Sequence, residues 1–261
     1  AKAEVMVMLH VVRLALPGSN AFLLRGARTV LVDCGAGDQR GRLVEALAEV
    51  GVAPHTLSLL VLTHAHAGTA GNAAWLHHEH GVPVAVHAAD APILAAGIDR
   101  VHRPTSPTAA LVAWLGAHRF EPVVPTVILG HATPLWRHGI GATVVHTPGH
   151  TIGSVSVICP SGEALVGDLV MGGWFGGRMW PTHPVRHYFA ECPDRVPRSL
   201  ALLERLGVHR VHPAIGGELA MAEVRAHIPV TLGHEALGIA PARLRERRLA
   251  TPTHGHDLRL T

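Results

Sequence analysis

Two histidines of this chain stand where a single metal ion could bind both of them. The stretch VLTHAHAGTAGN, residues 61–72, places His64 and His66 two positions apart, directly after an apolar run. Side chains at i and i+2 of an extended loop point to the same side, so both imidazoles can face one ion. Zinc takes four ligands at structural sites, or three ligands and a water at catalytic sites. Two histidines are therefore an incomplete ligand set.

Two further residues of ligand type follow later in the chain. His150 lies in HTPGHTIGS, between a proline-glycine turn and a predicted strand, and Asp168 ends the apolar stretch ALVGD. A carboxylate at such a place needs a partner, because an unpaired buried charge is costly. Taken singly, each residue is better explained as a turn histidine or a capping aspartate. Together with His64 and His66 they give four ligand-type residues at predicted strand ends, and this set predicts a metal site.

The predicted elements must bring these four positions together. Residues 20–35 predict a hairpin with its turn at Gly26, and residues 57–62 predict a strand buried on both faces. Residues 38–51 predict a helix that Asp38 could cap. Later elements are predicted as helices at 72–81, about 89–119 and 193–207, and as strands at 82–87, TVIL, ATVVH, SVSVIC, ALVGD and VHRVHP. This alternation favours one α/β domain with mixed sheets, and such folds bind ligands at the carboxyl ends of their strands.

Composition and charge exclude several classes of protein. The chain of 261 residues is 48% hydrophobic and 16% charged, which indicates a globular protein with a sizeable core. The net charge of +3 is not gathered into a basic stripe with aromatic residues, so we expect no nucleic-acid partner. No apolar run reaches about 18 residues, and the first residues lack the apolar core of a signal peptide, so neither a membrane partner nor secretion is predicted. Three widely spaced cysteines fit a reduced, cytoplasmic protein.

The order of the motifs resembles the metallo-β-lactamase superfamily. The resemblance rests on NAFLL, LVDCGAG, VLTHAHAGTAGN, HTPGHTIGS, ALVGD and VHPAIGGEL, in this order along about residues 5–230. It implies an α/β fold of the αββα sandwich type, in which two mixed β-sheets are flanked by helices and the metal site lies at one edge. We therefore expect a metallo-β-lactamase-like domain over residues 1–230. Residues 231–261 are expected to be a helical extension and tail of the same domain.

The departures from the family pattern concern one half of its metal site. The family's first motif usually reads T-H-x-H-x-D-H-x-G, but Gly68 occupies the aspartate position and Thr69 the third histidine position. The last motif usually reads P-G-H-G, and aligning its proline and glycine places Ile215 at that histidine. An alignment shifted to recruit His212 is the alternative.

The resemblance implies a mononuclear centre. In binuclear members, the first metal takes the three histidines that correspond here to His64, His66 and His150, and all three are present. The second metal takes the aspartate, the adjacent histidine and the last histidine, and all three are replaced. Asp168 corresponds to the aspartate that often bridges both metals. The implied ligands are thus His64, His66, His150 and Asp168, with Asp168 and Thr69 as catalytic candidates.

A centre of this kind predicts a metal-dependent enzyme. One zinc ion per chain, held by three imidazoles with an open position, lowers the pKa of its water to about 7 and provides hydroxide. The family resemblance then implies hydrolysis of an ester, thioester, lactone or amide of a small, partly apolar substrate. Iron or manganese would also suit three histidines and one aspartate, so a non-hydrolytic oxygenase, cyclase or lyase is the alternative, and the family includes mononuclear iron persulfide dioxygenases. A non-catalytic binding descendant is the third hypothesis.

The segment at residues 171–191, which follows Asp168, is the candidate substrate region. Five of the ten aromatic residues of the chain lie here among glycines, and this composition suggests a flexible lid over the metal. A carboxylate could bind Arg178 or Arg186, and His183 or His187 could be an acid or base. The substrate-binding candidates are Trp174, Phe175, Arg178, Trp180, His183 and His187, together with His87 at the end of a strand. The alternative is a packed surface loop, as at the interface of a homodimer.

Asp33 and Cys34, in the DCG turn, are interpreted as structural. We expect Asp33 to brace the metal loop and Cys34 to be a packed thiol.

Overall fold

The computed structural model of the chain describes residues 9–99, 103–105 and 119–228. The predicted extension at 231–261, and most of the predicted helical stretch at about 89–119, lie outside these residues. The domain boundary at residue 230 therefore stays a prediction.

Sixteen strands and six helices are present in the described residues. The strands are β1 His10–Leu16, β2 Ser19–Arg25, β3 Thr29–Val32, β4 Leu59–Val61, β5 Val84–His87, β6 Arg103–Pro104, β7 Val127–Leu129, β8 Ala132–Pro134, β9 Thr143–His146, β10 Val155–Ile158, β11 Glu163–Gly167, β12 Met171–Trp174, β13 Met179–Val185, β14 Phe189–Ala190, β15 Arg210–Pro213 and β16 Leu219–Ala220. The helices are α1 Arg40–Glu49, α2 Ala67–Ala70, α3 Ala73–His80, α4 Ala91–Ala96, α5 Val196–Arg205 and α6 Met221–His227. Within the part of the chain that the structure describes, no helix is long and apolar enough to cross a membrane.

Two mixed six-stranded sheets organise these elements. The first sheet has the order β1-β2-β3-β4-β5-β7, with antiparallel pairs up to β3 and parallel pairs from β3 to β7. The second has the order β16-β15-β11-β10-β9-β8, in which only β11 and β15 are parallel. The predicted hairpin around Gly26 is confirmed as β2 and β3.

Three apolar cores stack the sheets and helices into four layers. Leu31 and Leu60 of the first sheet pack against Leu43 and Leu47 of α1 and against Leu76 of α3. Between the two sheets lies a second core, which includes Phe22, Val61, Val144, Val157 and Leu165. On the far side of the second sheet, Val166 and Val211 pack with Leu200 of α5 and Val224 of α6. The predicted αββα sandwich, two mixed sheets flanked by helices, is confirmed.

The start of the first helix differs from the prediction. Asp38 lies in a 3₁₀ turn, Gly37–Gln39, and the α-helix begins only at Arg40 without a side-chain cap. The prediction that Asp38 caps this helix was therefore wrong. The chain approaches through the 3₁₀ turn, so the cap position of α1 falls on Gln39 and Asp38 lies one residue before it.

The aromatic segment also has more regular structure than a flexible lid. β12 and β13 form an antiparallel hairpin, with Met171 opposite Val185 and Trp174 opposite Met179. At its tip, Phe175 and Trp180 are exposed and have positive φ angles of 53° and 50°. Gly172 and Gly177 of this segment allow close backbone packing against the loop after β15.

Candidate metal centre

Three loops from the two sheets meet at one edge of the sandwich. His64 and His66 follow the buried strand β4, which lies in the interior of the first sheet. His150 lies between β9 and β10, and Asp168 directly follows β11, both in the second sheet. His64, His66 and His150 are almost completely buried. The structure thus brings together all four predicted ligands.

The ligand atoms face one another at short distances. Nε2 of His150 lies 3.0 Å from Nδ1 of His66. Oδ2 of Asp168 lies 3.5 Å from Nε2 of His64 and 3.5 Å from Nε2 of His150. A tetrahedral site with ligand bonds of about 2.0–2.1 Å has its ligand atoms about 3.3–3.4 Å apart. The observed separations therefore fit a donor set arranged around one ion.

Two features of these side chains support the same conclusion. Oδ1 of Asp168 is buried and has no hydrogen-bond partner among the described residues, and buried polar atoms are seldom left without a partner. Nδ1 of His150 lies 2.9 Å from the carbonyl oxygen of Phe189. A carbonyl only accepts, so Nδ1 of His150 carries the proton and Nε2 presents its lone pair to the cluster. The donor set fits a metal ion.

Asp33 and Thr63 set the tautomer of His64 in a similar way. Oδ1 and Oδ2 of Asp33 accept hydrogen bonds from the Thr63 backbone N–H and hydroxyl, each at 2.8 Å. Because Thr63 gives its only hydroxyl proton to Asp33, its Oγ1 accepts from Nδ1 of His64 at 3.1 Å. Nε2 of His64 is then left to bind a metal. The expectation that Asp33 braces the metal loop agrees with these contacts, and outer partners of this kind orient metal-binding histidines.

The pKa values of the clustered side chains are shifted in different directions. Burial and the neighbouring His187 hold the pKa of His150 well below its ordinary value, so this imidazole is neutral and available as a ligand. Burial alone would raise the pKa of Asp168, but the neighbouring His187 and the hydrogen bond with His64 outweigh burial and hold this pKa below its ordinary value, so the carboxyl is ionised. Although burial opposes its charge, Asp168 raises the pKa of His64 above its usual value. An ionised carboxylate among imidazoles is a suitable environment for a divalent cation.

A fourth histidine joins this cluster. Nε2 of His187 lies 3.3 Å from Oδ2 of Asp168, and its side chain is 10% exposed. The rings of His187 and His150 meet edge to face with centroids 4.4 Å apart. The sequence suggested His187 as a substrate-binding residue or acid-base group, but gave no sign that it would reach the metal ligands.

Thr69, the other catalytic candidate, lies beside the cluster. Its Oγ1 is 3.5 Å from Nε2 of His64 and within 3.2 Å of the carbonyl oxygens of His64 and His66. Its single proton therefore supports the loop that carries both ligands. A catalytic role for Thr69 stays a prediction.

Asp90 is a buried acidic residue that the sequence analysis missed. Its carboxylate accepts hydrogen bonds from Ala65 N at 3.1 Å, Thr151 Oγ1 at 2.8 Å and Gly153 N at 3.0 Å. These donors neighbour His64, His66 and His150, so Asp90 ties the two histidine loops together. Its place just beyond the end of β5 was the available signal, because β5 runs parallel to β4.

The loop that carries Ile215, at the position of the last second-metal ligand, is packed by the β12–β13 hairpin. Gly172 N donates to the Ile215 carbonyl at 2.8 Å, and Gly217 N donates to the Pro181 carbonyl at 2.8 Å. The β12–β13 hairpin therefore lies directly on the loop after β15. Gly216 touches Gly172 so closely that a Cβ atom would overlap it. This contact accounts for Gly172 and Gly177 of the aromatic segment, which lie against Gly216 and Gly217.

His212 does not join the cluster under either alignment. It lies on β15, with Nε2 3.4 Å from Oε2 of Glu163 and its ring against Phe22. The shifted alignment that would make His212 a metal ligand therefore has no support in the geometry.

Most of the substrate-binding candidates lie on the hairpin, away from the cavity beside the cluster. Trp174 stacks on His183, with ring centroids 5.0 Å apart, and contacts Trp180 edge to face. Phe175 and Arg178 are exposed near the tip. The cavity that borders His150 and Asp168 is lined instead by Arg186, His187 and Phe189. A substrate role for the hairpin residues stays a prediction.

His87 belongs to a separate group of histidines. Its ring stacks on that of His146, with centroids 4.0 Å apart, and His131 lies next to both. Burial and the neighbouring His146 lower the pKa of His87. His87 does not line the cavity beside His150 and Asp168. Cys34, by contrast, is the packed thiol that was expected, and its Sγ lies 3.2 Å from the carbonyl oxygen of Thr69.

Comparison with known proteins agrees with this fold. The model of the metallo-beta-lactamase superfamily matches residues 15–173. A "metallo-beta-lactamase domain-containing protein 1" from Xenopus laevis is 31% identical over 185 residues, which cover 69% of this chain. The chain spans only 64% of the length of that relative.

Solved structures share the architecture. A HARLDQ-motif variant of a metallo-β-lactamase from Cronobacter sakazakii superimposes with a TM-score of 0.56 at 23% identity, over 78% of this chain and 77% of the other. A protein solved in a di-iron-bound form, TTHA1623, gives a TM-score of 0.58 at 25% identity, over 83% of this chain and 96% of the other. With the family model matching more than half of its length, this chain belongs to the metallo-β-lactamase superfamily.

Proposed function

We propose that the chain is a metal-dependent hydrolase with a single-metal centre, which cleaves an ester, thioester, lactone or amide. The observation that carries the proposal is the convergence of His64, His66, His150 and Asp168 at ligand spacing. The positions of the second-metal ligands hold Gly68, Thr69 and Ile215, none of which offers an imidazole or a carboxylate.

The residues around the centre would have separate roles in such a reaction. A zinc ion in this set of ligands would supply a Lewis acid that polarises a carbonyl and makes water acidic enough to react near neutral pH. Asp33 and Phe189 fix the tautomers of His64 and His150 through the contacts described above. Asp168 holds negative charge at the mouth of the cavity and is the group placed to receive a proton. Buried side chains on the other sides of the cluster keep bulk water away from it.

The neighbouring cavity favours a small substrate. Its volume is about 220 Å³, below the range of about 300–1,000 Å³ that is usual for pockets of drug-sized ligands. His150, Asp168 and His187 lie on one side, and the apolar wall includes Leu169, Phe189 and Val196. Arg186 also lines this cavity and makes no ion pair with another described residue, so it is the candidate to bind an anionic group of the substrate.

Non-hydrolytic chemistry on iron or manganese is the second candidate function. It is favoured by His187, which adds a fourth imidazole beside Asp168. Iron and manganese accommodate larger ligand sets than tetrahedral zinc. A structural relative described as di-iron-bound gives iron a precedent within this fold.

A substrate screen with two readouts separates these candidates. Wild-type protein and His150→Ala would be tested on short-chain esters, thioesters, lactones and amides, with acid release and oxygen uptake measured in parallel. Hydrolysis of at least one class without oxygen uptake, lost in His150→Ala, is the result that the hydrolase proposal expects. Oxygen consumption by the metal-loaded wild type, without hydrolysis, would contradict it and support the second candidate. Absence of both activities across the screen would also count against a hydrolase of small substrates.

A further inference from the structure

We propose that His187 is itself a metal ligand, supplied by the segment after the β12–β13 hairpin. The inference rests on the metal centre of the proposed function, but not on the reaction that it catalyses. Nε2 of His187 lies 3.3 Å from Oδ2 of Asp168, a separation within the range found among His64, His66, His150 and Asp168. Its side chain is 10% exposed, similar to the 12% of Asp168.

His187 shares its outer partner with an expected ligand. Its Nδ1 lies 3.1 Å from the carbonyl oxygen of Phe189, the same atom that lies 2.9 Å from Nδ1 of His150. A carbonyl oxygen has two lone pairs and can accept both N–H groups. A metal-binding histidine almost always donates its second ring N–H to a carbonyl or carboxylate. One backbone carbonyl can therefore orient two imidazoles of the same centre.

The Phe189 peptide also permits the other tautomer of His187. Its backbone N lies 3.2 Å from Nδ1, so in the absence of a metal Nδ1 can accept from Phe189 and Nε2–H can donate to Asp168. A simple ion pair between His187 and Asp168 is the competing explanation. The two explanations differ in one measurable quantity, because only a ligand raises the number of imidazoles on the bound metal from three to four.

The sequence context of His187 fits a replacement for lost ligands. The hairpin packs on the loop that carries Ile215, where the family has its last histidine, and the chain then returns to the cluster through His187. The segment is anchored from the other side by β14, which pairs with β6. The centre would thus hold four histidines and one aspartate, with the fourth histidine at a position outside the family motifs.

X-ray absorption spectroscopy tests directly whether His187 is a ligand. The sample would be the wild-type protein without a histidine tag, loaded with zinc or cobalt. Four imidazoles in the first coordination shell are expected. One metal with three imidazoles would overturn the assignment of His187 and leave the single-metal proposal standing. A protein that binds no metal, or two, would contradict the single-metal proposal itself and remove the basis of this inference.

A pair of variants provides an independent measurement. His187→Ala should weaken cobalt binding by at least about tenfold in a competition with a chelator, and should change the visible absorption of the bound cobalt. The matched control is His183→Ala, which removes a half-buried histidine of β13 that stacks on Trp174 and not on the cluster. Unchanged cobalt affinity and absorption in a folded His187→Ala, checked by circular dichroism, would overturn the proposal. His187→Gln keeps a polar side chain and replaces His187→Ala if the alanine variant does not fold.

Discussion

Thr63 donates its hydroxyl proton to Oδ2 of Asp33 at 2.8 Å, and this bond determines which nitrogen of the adjacent histidine can reach a metal. Asp33 is ionised near neutral pH, although burial raises its pKa to about 6. An ionised carboxylate can only accept, so the direction of both hydrogen bonds in the series is fixed. The tautomer of His64 that leaves Nε2 available for a metal therefore depends on Asp33, which lies outside the proposed set of ligands.

Asp33→Asn is expected to weaken metal binding without disrupting the fold. The amide would donate to Thr63, the threonine would then donate to Nδ1 of His64, and the proton of His64 would move to Nε2. Loss of an outer partner of this kind lowers metal affinity by about 10–100-fold. Affinity would be measured by chelator competition, with the exposed Asp38→Asn as control. Equal affinities of wild type and Asp33→Asn would contradict this role of Asp33.

The raised pKa of Asp33 predicts that the stability of the metal-free protein depends on pH, and Asp33→Asn provides the comparison. The folded-state pKa of Asp33, about 6, lies above its ordinary value of 3.8. Protonated Asp33 therefore stabilises the folded state fully below pH 3.8, and this contribution is lost as the pH rises through 6. As the pH rises from 3.8 to about 6, the unfolding free energy of the wild type should decrease relative to that of Asp33→Asn. Urea unfolding in the presence of a chelator measures it, and a difference that does not change with pH would contradict the assignment.

The close contact of the hairpin with the loop after β15 predicts a large effect at Gly216. Its φ of 93° is unfavourable for other residues, and an added Cβ would overlap the carbonyl group of Gly172. Gly216→Ala should lower the unfolding free energy by about 2 kcal/mol or more. Gly176→Ala is the matched control, because Gly176 has a φ of 66° but no atom within 4 Å of the added Cβ. If thermal or urea unfolding finds the two variants equally stable, the backbone contact is less important than we infer.

Gly68→Asp tests whether the second half of the site can be restored by one residue. A Cβ at Gly68 meets no atom within 4 Å, so the side chain should be tolerated. Two other second-metal ligands remain absent at Thr69 and Ile215, and we expect the variant to bind one metal per chain, the number that we also expect for the wild type. Binding of nearly two metals by Gly68→Asp would show that the second site is still formed.

The sequence predicted that His64, His150 and Asp168 would come together because these residues follow recognisable strands or turns. An apolar run before His64 and another before Asp168 indicate strand ends, and the structure places the ends of β4 and β11, one from each sheet, at the same edge of the sandwich. His150 has a turn signal directly before it. Local sequence patterns were therefore sufficient for these three residues.

His187 could not be placed by the same reasoning. His187 lies 19 residues after Asp168 in the sequence. The β12–β13 hairpin lies between them, and its position depends on contacts with the loop after β15. Glycines and aromatic residues predicted a flexible lid here, but the glycines instead allow two backbones to touch. Such a contact joins segments more than 30 residues apart, and no local pattern reveals it.

The metal content of the purified chain tests the central claim most directly. Protein without a histidine tag would be analysed by plasma mass spectrometry, together with His64→Ala. We predict about one metal ion per wild-type chain and nearly none in the variant. Two metal ions per wild-type chain, or equal metal content in His64→Ala, would contradict a single-metal centre at this site.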